Sequence, residues 1–450
     1  MRQLSTVIYE CSKCDAQSPK WMGRCSECGE WGSLQENQKP KSKIQKFKGS
    51  GTSSANVINL ENLQTKNLPR IKTNIKEMDS ILGGGIVPGS LILLGGEPGI
   101  GKPTLLLQVA ASLKSETSNT PILYVSGEES AEQLKTRFDR LKISARNIQY
   151  LGDINTGSIC ATISSINPAL AIVDSIQMLH SEESESEPGS VNQIKITTSL
   201  LATAARETNV PIIIVGHVTK GGALAGPKTL EHLVDVILEF SGDRGNDLRI
   251  LRVIKNRFGA AGELAFFEMT TSGLHEVLDP SKLLLADKSD SPGSVVGMVL
   301  EGSRPLAIEF QSLINRTNFG YPKRQAVGFD LNKLQLLTAV LSKRTKSNLN
   351  FFDAHLKVVG GFRVSEPGAD LPVTISLLSA LINKPVPKDT VVLGEVGLGG
   401  EVRQVSQLDK RLKEAERLGF KNAIVPNCSI KSSKLKLLKI KNIGEALDLL

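Results

Sequence analysis

Short apolar runs alternate with helix-like segments through the middle of the chain. These runs are Leu91–Leu94, Ile122–Val125, Leu170–Val173, Ile212–Val215, Val236–Phe240 and Leu248–Ile254. Continuous apolar runs of this length are typical of strands buried on both faces, and intervening helices supply the crossovers between parallel strands. The pattern therefore predicts an α/β fold with a mostly parallel sheet from about Ile71 to Leu285.

The C-terminal third mixes apolar runs with longer amphipathic segments, which predicts a separate α+β domain. The expected strands are Val295–Leu300, Leu306–Phe310, Val391–Leu393 and Ala423–Val425, and the expected helices are Lys333–Lys343, Ala369–Ile382 and Gln407–Leu418. Two polar stretches are typical of linkers. The first, from Gln35 to about Asn56, is rich in Lys and then in Gly and Ser, and a shorter one spans 287–293. The chain is therefore divided into a Cys-rich module at 1–35, a flexible basic linker at 36–65, an α/β domain at 66–286 and an α+β domain at 294–450.

Length and composition bound the class of protein. A chain of 450 residues with 40% hydrophobic residues is a multidomain globular protein, and no apolar run is long enough to span a bilayer. The N-terminus lacks the pattern of a signal peptide, so we expect a cytoplasmic protein without a membrane partner. A net charge of +8 permits a polyanionic partner without requiring one.

Four of the six cysteines lie near the N-terminus as two C-x2-C pairs, Cys11/Cys14 and Cys25/Cys28. Two such pairs supply the four thiolates of a tetrahedral, closed Zn²⁺ site, which a module this small needs in order to fold. The competing interpretation is a pair of disulfides. Trp21, Arg24 and Trp31 lie beside these pairs and either stack on nucleic acid or pack over the zinc site.

A Gly-rich turn between an apolar strand and an apolar helix has the form G-x-x-x-x-G-K, which is typical of a phosphate-binding loop. Its N–H groups and the helix N-terminus would bind the phosphates of ATP. Pro103 stands where a Ser or Thr normally holds Mg²⁺, so it removes a hydroxyl and an N–H, although its φ suits a first helical turn. A turn without a ligand is the alternative. The candidate nucleotide-binding residues are Gly96, Glu97, Pro98, Gly99, Ile100, Gly101, Lys102, Pro103 and Thr104.

Polar residues also follow three other predicted strands, at the sheet edge where ligands bind in doubly wound folds. Glu128, favoured over Glu129, is the candidate base that activates the attacking water, and Asp174 is the candidate Mg²⁺ carboxylate. His217 is placed to sense the γ-phosphate. The alternatives are a solvated carboxylate at a helix start, a chance Asp at a strand end and a capping His.

These features together resemble one family, bacterial RadA (Sms). The residues that carry the resemblance are the four cysteines, the phosphate loop, Ser126-Gly-Glu-Glu-Ser130, Val173-Asp-Ser-Ile-Gln177 and Lys255-Asn-Arg-Phe-Gly259. The resemblance implies a RecA-like P-loop ATPase that forms homohexamers, binds single-stranded and branched DNA, and acts in repair beside the RecA recombinase. Lys255 and Arg257 alternate along one face of an extended segment, where they either reach a neighbouring subunit's γ-phosphate or simply face solvent.

Two loops are candidate DNA contacts. In the first, His180–Gln193, an acidic run would repel phosphate, so contact is expected from the Gly189–Lys195 end. The second, Lys220–Lys228, is Gly-rich and directly follows the candidate sensor, so it is suited to link nucleotide state to DNA grip, although glycines also suit an ordinary surface loop.

Residues 294–450 resemble the proteolytic domain of Lon through Glu366–Pro372, Gly394–Arg403 and Leu408–Gly419. Lon proteases use a Ser nucleophile and a Lys. Here the nucleophile position falls near Ala369 or Asp370 and the lysine position falls on Asp409, while Lys410 is turned by about 100° to another helix face. Ser365 and Ser376 lie outside the pattern. The resemblance therefore implies an inactive protease domain used for ring assembly and DNA binding. The Lys-rich tail forms either a basic surface or a solvated helix face; it comprises Lys431, Lys434, Lys436, Lys439 and Lys441.

The leading functional hypothesis is an ATP-driven motor on DNA that promotes branch migration of recombination intermediates, with ATP, Mg²⁺ and Zn²⁺ as ligands. The alternative is an ATP-binding DNA scaffold whose hydrolysis is weakened by Pro103. An ATP-dependent protease is disfavoured because the Ser–Lys pair is absent.

Overall fold

The computed structural model describes residues 9–14, 16–18, 20–36, 69–113, 120–217, 230–242, 247–318, 321–345, 349–430 and 434–450. The chain forms two compact units. The first comprises residues 1–240 and 254–259, and the second comprises 241–253 and 260–450. The linker predicted at 36–65, the loop Lys220–Lys228 and Lys431 lie wholly or almost wholly outside the described residues.

The N-terminal module is a small antiparallel sheet of β1 (Tyr9–Cys11), β2 (Gln17–Ser18) and β3 (Leu34–Glu36), with β1 in the centre. Among the described residues of the module, the buried hydrophobic ones are Cys11, Cys25 and Leu34. Such a small apolar core cannot stabilise a fold by itself, so the module depends on the cysteine cluster.

The main sheet of the first unit has the order β9-β4-β8-β7-β5-β6, and its strands are parallel. These strands are β4 (Leu91–Gly96), β5 (Ile122–Ser126), β6 (Ile148–Leu151), β7 (Leu170–Asp174), β8 (Ile212–His217) and β9 (Val236–Gly242). The helices are α1 (Lys76–Ile81), α2 (Lys102–Ser112), α3 (Ala131–Leu141), α4 (Thr156–Ile166) and α5 (Val191–Thr208).

Local sequence signals set where these helices begin. Gly101 precedes α2 with a φ of 110°, a conformation that favours glycine, and a proline occupies the first turn. Ser130 and Gln133 form a capping box at α3. Ser190 caps α5 by accepting a hydrogen bond from the backbone N–H of Gln193. Each cap fixes a helix start at the carboxyl edge of the sheet.

The second unit contains a mixed seven-stranded sheet in the order β15-β16-β14-β13-β17-β20-β21. Antiparallel strands β10, β11 and β12 precede it, and β18 and β19 form a short hairpin. The helices are α6 (Pro280–Leu284), α7 (Leu331–Arg344), α8 (Asp370–Ile382) and α9 (Leu408–Arg417). The strands are β10 (Leu248–Asn256), β11 (Leu264–Thr270), β12 (Gly273–Glu276), β13 (Ser294–Glu301), β14 (Arg304–Arg316), β15 (Arg324–Val327), β16 (Phe352–Val358), β17 (Thr390–Val392), β18 (Glu395–Val396), β19 (Val402–Arg403), β20 (Asn422–Pro426) and β21 (Lys436–Ile440).

The predicted fold class is confirmed: a parallel α/β core is followed by an α+β domain. The boundary between the two compact units does not fall at 286–294. Leu248, Leu264 and Phe266 belong to the second unit and share its hydrophobic core with Phe310. The predicted domain limits 66–286 and 294–450 refer to functional domains and not to these compact units, so they stay a prediction. Among the described residues, no helix is both long and apolar enough to cross a bilayer.

One local alternative and one local prediction are wrong. The helix-face alternative for the Lys-rich tail is excluded over Lys436–Ile440, which is a strand that pairs in parallel with β20, and the basic-surface alternative stays a prediction. The segment His180–Gln193 is not a loop throughout, because α5 begins at Val191. The strand is decided by pairing with β20, which is distant in the sequence, whereas the start of α5 is set locally by its cap, Ser190.

Candidate nucleotide site and zinc centre

The phosphate loop joins a fully buried strand to a helix. Gly96 ends β4 where there is no room for a side chain, because a Cβ there would lie 2.4 Å from the carbonyl oxygen of Phe240. Gly99 has a φ of 78° and open space around it. Glu97, Pro98 and Ile100 complete the turn, which leads into α2. A backbone that only glycine tolerates, open on one side at a helix N-terminus, fits a phosphate chain.

Lys102 is the first residue of α2, and its side chain is almost fully buried. Its Nζ donates hydrogen bonds to the carbonyl oxygens of Gly96 at 2.7 Å and Glu97 at 3.1 Å. Burial lowers the pKa of Lys102, and the nearby carboxylates of Asp174 and Glu128 act in the opposite direction. The ammonium is thus held at the loop with two carboxylates close enough to affect it.

Asp174 ends β7 and is buried. The hydroxyl of Tyr124, which lies on the adjacent strand β5, donates a hydrogen bond of 3.0 Å to Asp174 Oδ2. Burial, followed by the charge of Asp174, raises the pKa of Tyr124 well above its ordinary value, so this phenol stays a donor. A fixed carboxylate beside the loop fits the predicted Mg²⁺ role.

The two candidate bases have different partners. Glu128 accepts a hydrogen bond from the hydroxyl of Ser175, while Glu129 is paired with Arg137. Glu129 also has its backbone carbonyl bound by Tyr150 at 2.8 Å. The Glu129 carboxylate is already engaged by a guanidinium, so this geometry favours Glu128 for activating water, and the choice of Glu128 stays a prediction.

Pro103 is the second residue of α2 and provides neither a hydroxyl nor an N–H at the turn that faces the loop. Thr104 follows and is buried. His217 ends β8 in register with Gly96 on β4, but its side chain is outside the described part of the chain. Its assignment as a γ-phosphate sensor stays a prediction.

Lys255 and Arg257 are both held within their own protomer. Lys255 Nζ donates to the carbonyl oxygens of Glu231 and Val234, the latter at 2.9 Å. Arg257 forms an ion pair of 2.9 Å with Asp235 and is about half exposed. A role for either residue at a neighbouring subunit's site therefore requires an exchange of partners.

The four N-terminal cysteines form a cluster in which all Sγ atoms lie within 4.8 Å of one another. Cys11 and Cys28 are 3.6 Å apart, as are Cys14 and Cys25. A tetrahedral zinc site with Zn–S bonds of about 2.3 Å has S–S edges of about 3.8 Å, which matches this spacing. None of the six cysteines is in a disulfide. The donor set therefore fits structural Zn²⁺, and the disulfide alternative is wrong.

In the second unit, the positions that correspond to a Lon active site lack the serine and lysine that the chemistry needs. Ala369 and Asp370 are buried, and Asp370 forms an ion pair of 2.6 Å with Lys333. Lys410 instead donates to the carbonyl oxygen of Ser303. Ser376 is buried, and its hydroxyl is 2.6 Å from that of Ser312. The described residues around Asp370 thus offer no activated nucleophile.

Sequence reasoning missed the residues that orient the carboxylates. Tyr124 lies within an apolar strand and is indistinguishable there from an ordinary core residue. Ser175 directly follows Asp174, and this adjacency was the available signal. Both hydroxyls reach acids at or just beyond the end of the neighbouring strand, a relationship that only the sheet order reveals.

A glycine-rich phosphate-binding loop at the carboxyl edge of a parallel sheet, joined to a four-cysteine ribbon, defines a P-loop ATPase with a zinc module. Family models agree: an AAA domain matches residues 59–223, a rubredoxin metal binding domain matches 9–36, and subunit ChlI of Mg-chelatase matches 349–429. The chain belongs to the DNA repair protein RadA family.

The curated relatives extend over nearly the whole chain. DNA repair protein RadA of Bacillus subtilis (strain 168) is 43% identical over 98% of this chain and 97% of its own. The Aquifex aeolicus (strain VF5) relative of the same name is 42% identical over 99% of both chains. Among solved structures, the RadB recombinase is 27% identical and covers 46% of this chain and 99% of its own, with a TM-score of 0.37.

Proposed function

We propose that this chain is a DNA-dependent ATPase that moves along single-stranded DNA and promotes branch migration of recombination intermediates together with the RecA recombinase. The observation that carries the proposal is the grouping of Lys102, Glu128 and Asp174 at one edge of the parallel sheet, in a member of a DNA-repair family. The proposed compartment is the cytoplasm, in keeping with the proposed DNA substrate.

Each member of the site has a distinct part in the proposed hydrolysis. Lys102 holds the β- and γ-phosphates, Glu128 takes a proton from the attacking water, and Asp174 orients the Mg²⁺ shell. Bound Mg²⁺ neutralises charge on the phosphates. Positioning and charge stabilisation account for most of the rate enhancement in phosphoryl transfer, so residues that fix these side chains matter as much as the side chains themselves.

The proposed assembly is a homohexamer in which Lys255 and Arg257 act on the site of a neighbouring subunit. The support is their position at the end of β10, with Lys255 inside the strand and Arg257 just beyond it, partly exposed and paired to Asp235. When a γ-phosphate is near, the guanidinium exchanges one anion for another, which keeps the cost of the movement low. Such an exchange would connect ATP occupancy to the subunit interface.

DNA contact is proposed for the N-terminal end of α5, where Gly189 and Ser190 precede the helix and Lys195 is exposed. The backbone N–H groups and helix dipole there suit a phosphate. The loop Lys220–Lys228 is proposed as a second contact, and the Lon-like domain as a further DNA-binding and ring-forming element.

The test is Mg²⁺-dependent ATP turnover by the full chain with and without single-stranded DNA, followed by branch migration of a recombinase-made joint molecule. We expect DNA to stimulate turnover and ATP to be required for migration, with Lys102→Ala inactive in both assays. Turnover that is indifferent to DNA, or migration that Lys102→Ala supports equally well, would refute the motor.

The second candidate is an ATP-binding DNA scaffold, and Pro103 is the observation that favours it. Loss of one N–H and one hydroxyl at the phosphate loop removes stabilisation that hydrolysis needs more than binding does. A scaffold would bind ATP with ordinary affinity, respond to it in DNA binding, and hydrolyse it no faster when DNA is added. Calorimetric ATP affinity measured beside the turnover number separates the two candidates.

A further inference from the structure

Both tryptophans of the chain lie on the zinc module, and both are exposed to solvent. Trp21 is 60% exposed and Trp31 is 75% exposed. The chain contains no other tryptophan. Tryptophan is highly buried on average in folded proteins, since its large apolar surface is costly to leave in water. The alternative that these rings pack over the zinc site is therefore wrong, and their exposure calls for a ligand.

The two indoles border the same glycine. A Cβ placed on Gly23 would lie 3.7 Å from Trp31 Cζ3 and 4.0 Å from Trp21 Cη2. Both rings therefore reach the same small area of the surface. A larger residue at position 23 would press on both of them.

The position of one ring is fixed by the second cysteine knuckle. Arg24 and Trp31 form an antiparallel bridge, and the guanidinium lies 5.9 Å from the centre of the Trp31 ring. Arg24 Nε also donates a hydrogen bond of 2.7 Å to the carbonyl oxygen of Gly29, which holds the guanidinium in place. The platform is thus preorganised by the same turn that carries Cys25 and Cys28.

The charges around the rings are suited to a polyanion. Lys20 and Arg24 flank Trp21 in sequence, both are exposed, and the stretch between them contains no acid. Glu30, the acid next to Trp31, is paired with Lys13 at 3.2 Å. The rings are therefore bordered by cations, which attract the phosphates of a polyanion.

We propose that Trp21 and Trp31 form a stacking platform for unpaired bases of single-stranded DNA, with Lys20 and Arg24 binding the adjacent phosphates. Base–aromatic stacking contributes about 1–3 kcal/mol per base and tolerates any sequence, and flanking cations add the salt-dependent part. The proposal deepens the proposed function, since it rests on single-stranded DNA being the substrate.

The chain itself supplies the probe, because tryptophan fluorescence of the intact protein reports on this module alone. We expect titration with oligothymidylate to quench the emission, with the same midpoint as the anisotropy of a labelled oligonucleotide. Trp21→Ala and Trp31→Ala should each weaken binding by about fivefold or more. Trp21→Phe and Trp31→Phe retain an aromatic ring and should recover most of the affinity.

Zinc content, measured on each variant, shows that the module is still folded. Oligonucleotide binding without any change in tryptophan emission would overturn the platform and leave the proposed function standing. Complete absence of oligonucleotide binding would overturn both. Emission that responds to an added partner protein and not to DNA would identify a protein interface and contradict the inference.

Discussion

The hydroxyl of Ser175 donates a hydrogen bond to Glu128 across two adjacent strands of the sheet. The register of β5 and β7 places Ser126 beside Asp174, so the residues just beyond these strand ends meet at the carboxyl edge. The carboxylate proposed to activate water is therefore oriented by a residue adjacent in sequence to the carboxylate proposed for Mg²⁺. Ser175 is a positioning residue that links the two.

Replacing Ser175 by Ala should lower the kcat for ATP by about tenfold and leave its KM nearly unchanged. A hydrogen bond to a charged group contributes about 1.5–3 kcal/mol, and here it orients a base that acts only in the chemical step. Ser175→Thr keeps the hydroxyl and should retain most of the activity. A raised KM with normal kcat in steady-state turnover would instead indicate a role in ATP binding.

Pro103→Ser should raise ATP turnover by about tenfold, because it restores both a hydroxyl for Mg²⁺ and an N–H for phosphate. Pro103→Ala is the matched control, since it restores the N–H alone. The difference between these two variants in initial-rate assays measures the contribution of the hydroxyl. If neither variant is faster than the parent, Thr104 already supplies the hydroxyl and the missing N–H has no consequence.

Cys28→Ser should lose zinc, because a three-thiolate remnant cannot close the tetrahedral shell. The ATPase core should still fold, as judged by its thermal unfolding and ATP affinity. Cys160→Ser is the control, as that cysteine lies outside the cluster and should leave metal content unchanged. Stoichiometric zinc in purified Cys28→Ser, measured by elemental analysis, is incompatible with the assignment.

Mixing two inactive variants tests whether Arg257 acts on a neighbouring subunit. Lys102→Ala and Arg257→Ala should each be inactive alone, whereas their mixture should regain ATPase activity at interfaces that combine an intact Lys102 with an intact Arg257. Mixing Lys102→Ala with Glu128→Gln is the control, because both residues belong to one protomer's site and no interface is repaired. Arg257 acts within its own protomer if the first mixture stays as inactive as the second.

Asp370 should make the second unit less stable as pH rises. Burial raises the pKa of Asp370 from 3.8 to about 6, despite the opposing effect of Lys333. The folded state thus holds the proton more tightly than the unfolded chain, so the stabilisation is complete below about pH 4 and is lost as pH rises through about 6. The shift corresponds to about 3 kcal/mol at neutral pH.

Asp370→Asn removes this dependence, so its gain in unfolding free energy over the parent should be larger at about pH 8 than at about pH 4. Denaturant titrations at the two pH values measure the difference. Asp409→Asn, at an exposed position in the same unit, is the comparison. An equal effect of Asp370→Asn at both pH values would mean that the buried carboxyl does not titrate in this range.

Sequence periodicity predicted the buried strands well, because Leu91–Gly96 and Leu170–Asp174 are continuous apolar runs that no exposed element tolerates. Periodicity failed to identify strands in which apolar and polar side chains are mixed. Ile148–Leu151 is only partly buried, and Lys436–Ile440 has a Lys on each side of a Leu pair, a spacing that also suits a helix. Pairing with β5 and β20 decides these two cases, and a pairing partner is not visible in a local window.

The candidate site was predictable as far as its residues follow strand ends. Lys102 was predicted from the phosphate-loop motif, and Glu128 and Asp174 were predicted because the carboxyl edge of a parallel sheet is where such residues meet. The partners Tyr124, Ser175 and Arg137 depend on which strands are neighbours and on rotamers set by packing. For that reason the chemistry was visible in the sequence, while the orientation of the carboxylates required coordinates.

The buried side-chain amide of Gln193 fixes the turn that carries three acidic residues. Its side chain bonds the backbone of Ser181, Ser184 and Ser186, so the turn holding Glu182, Glu183 and Glu185 is fastened to the first turn of α5. These acids consequently travel with the helix as a rigid group. In the proposed motor, a displacement of α5 would move these acidic side chains together and so change how strongly this edge of the protein repels DNA phosphates.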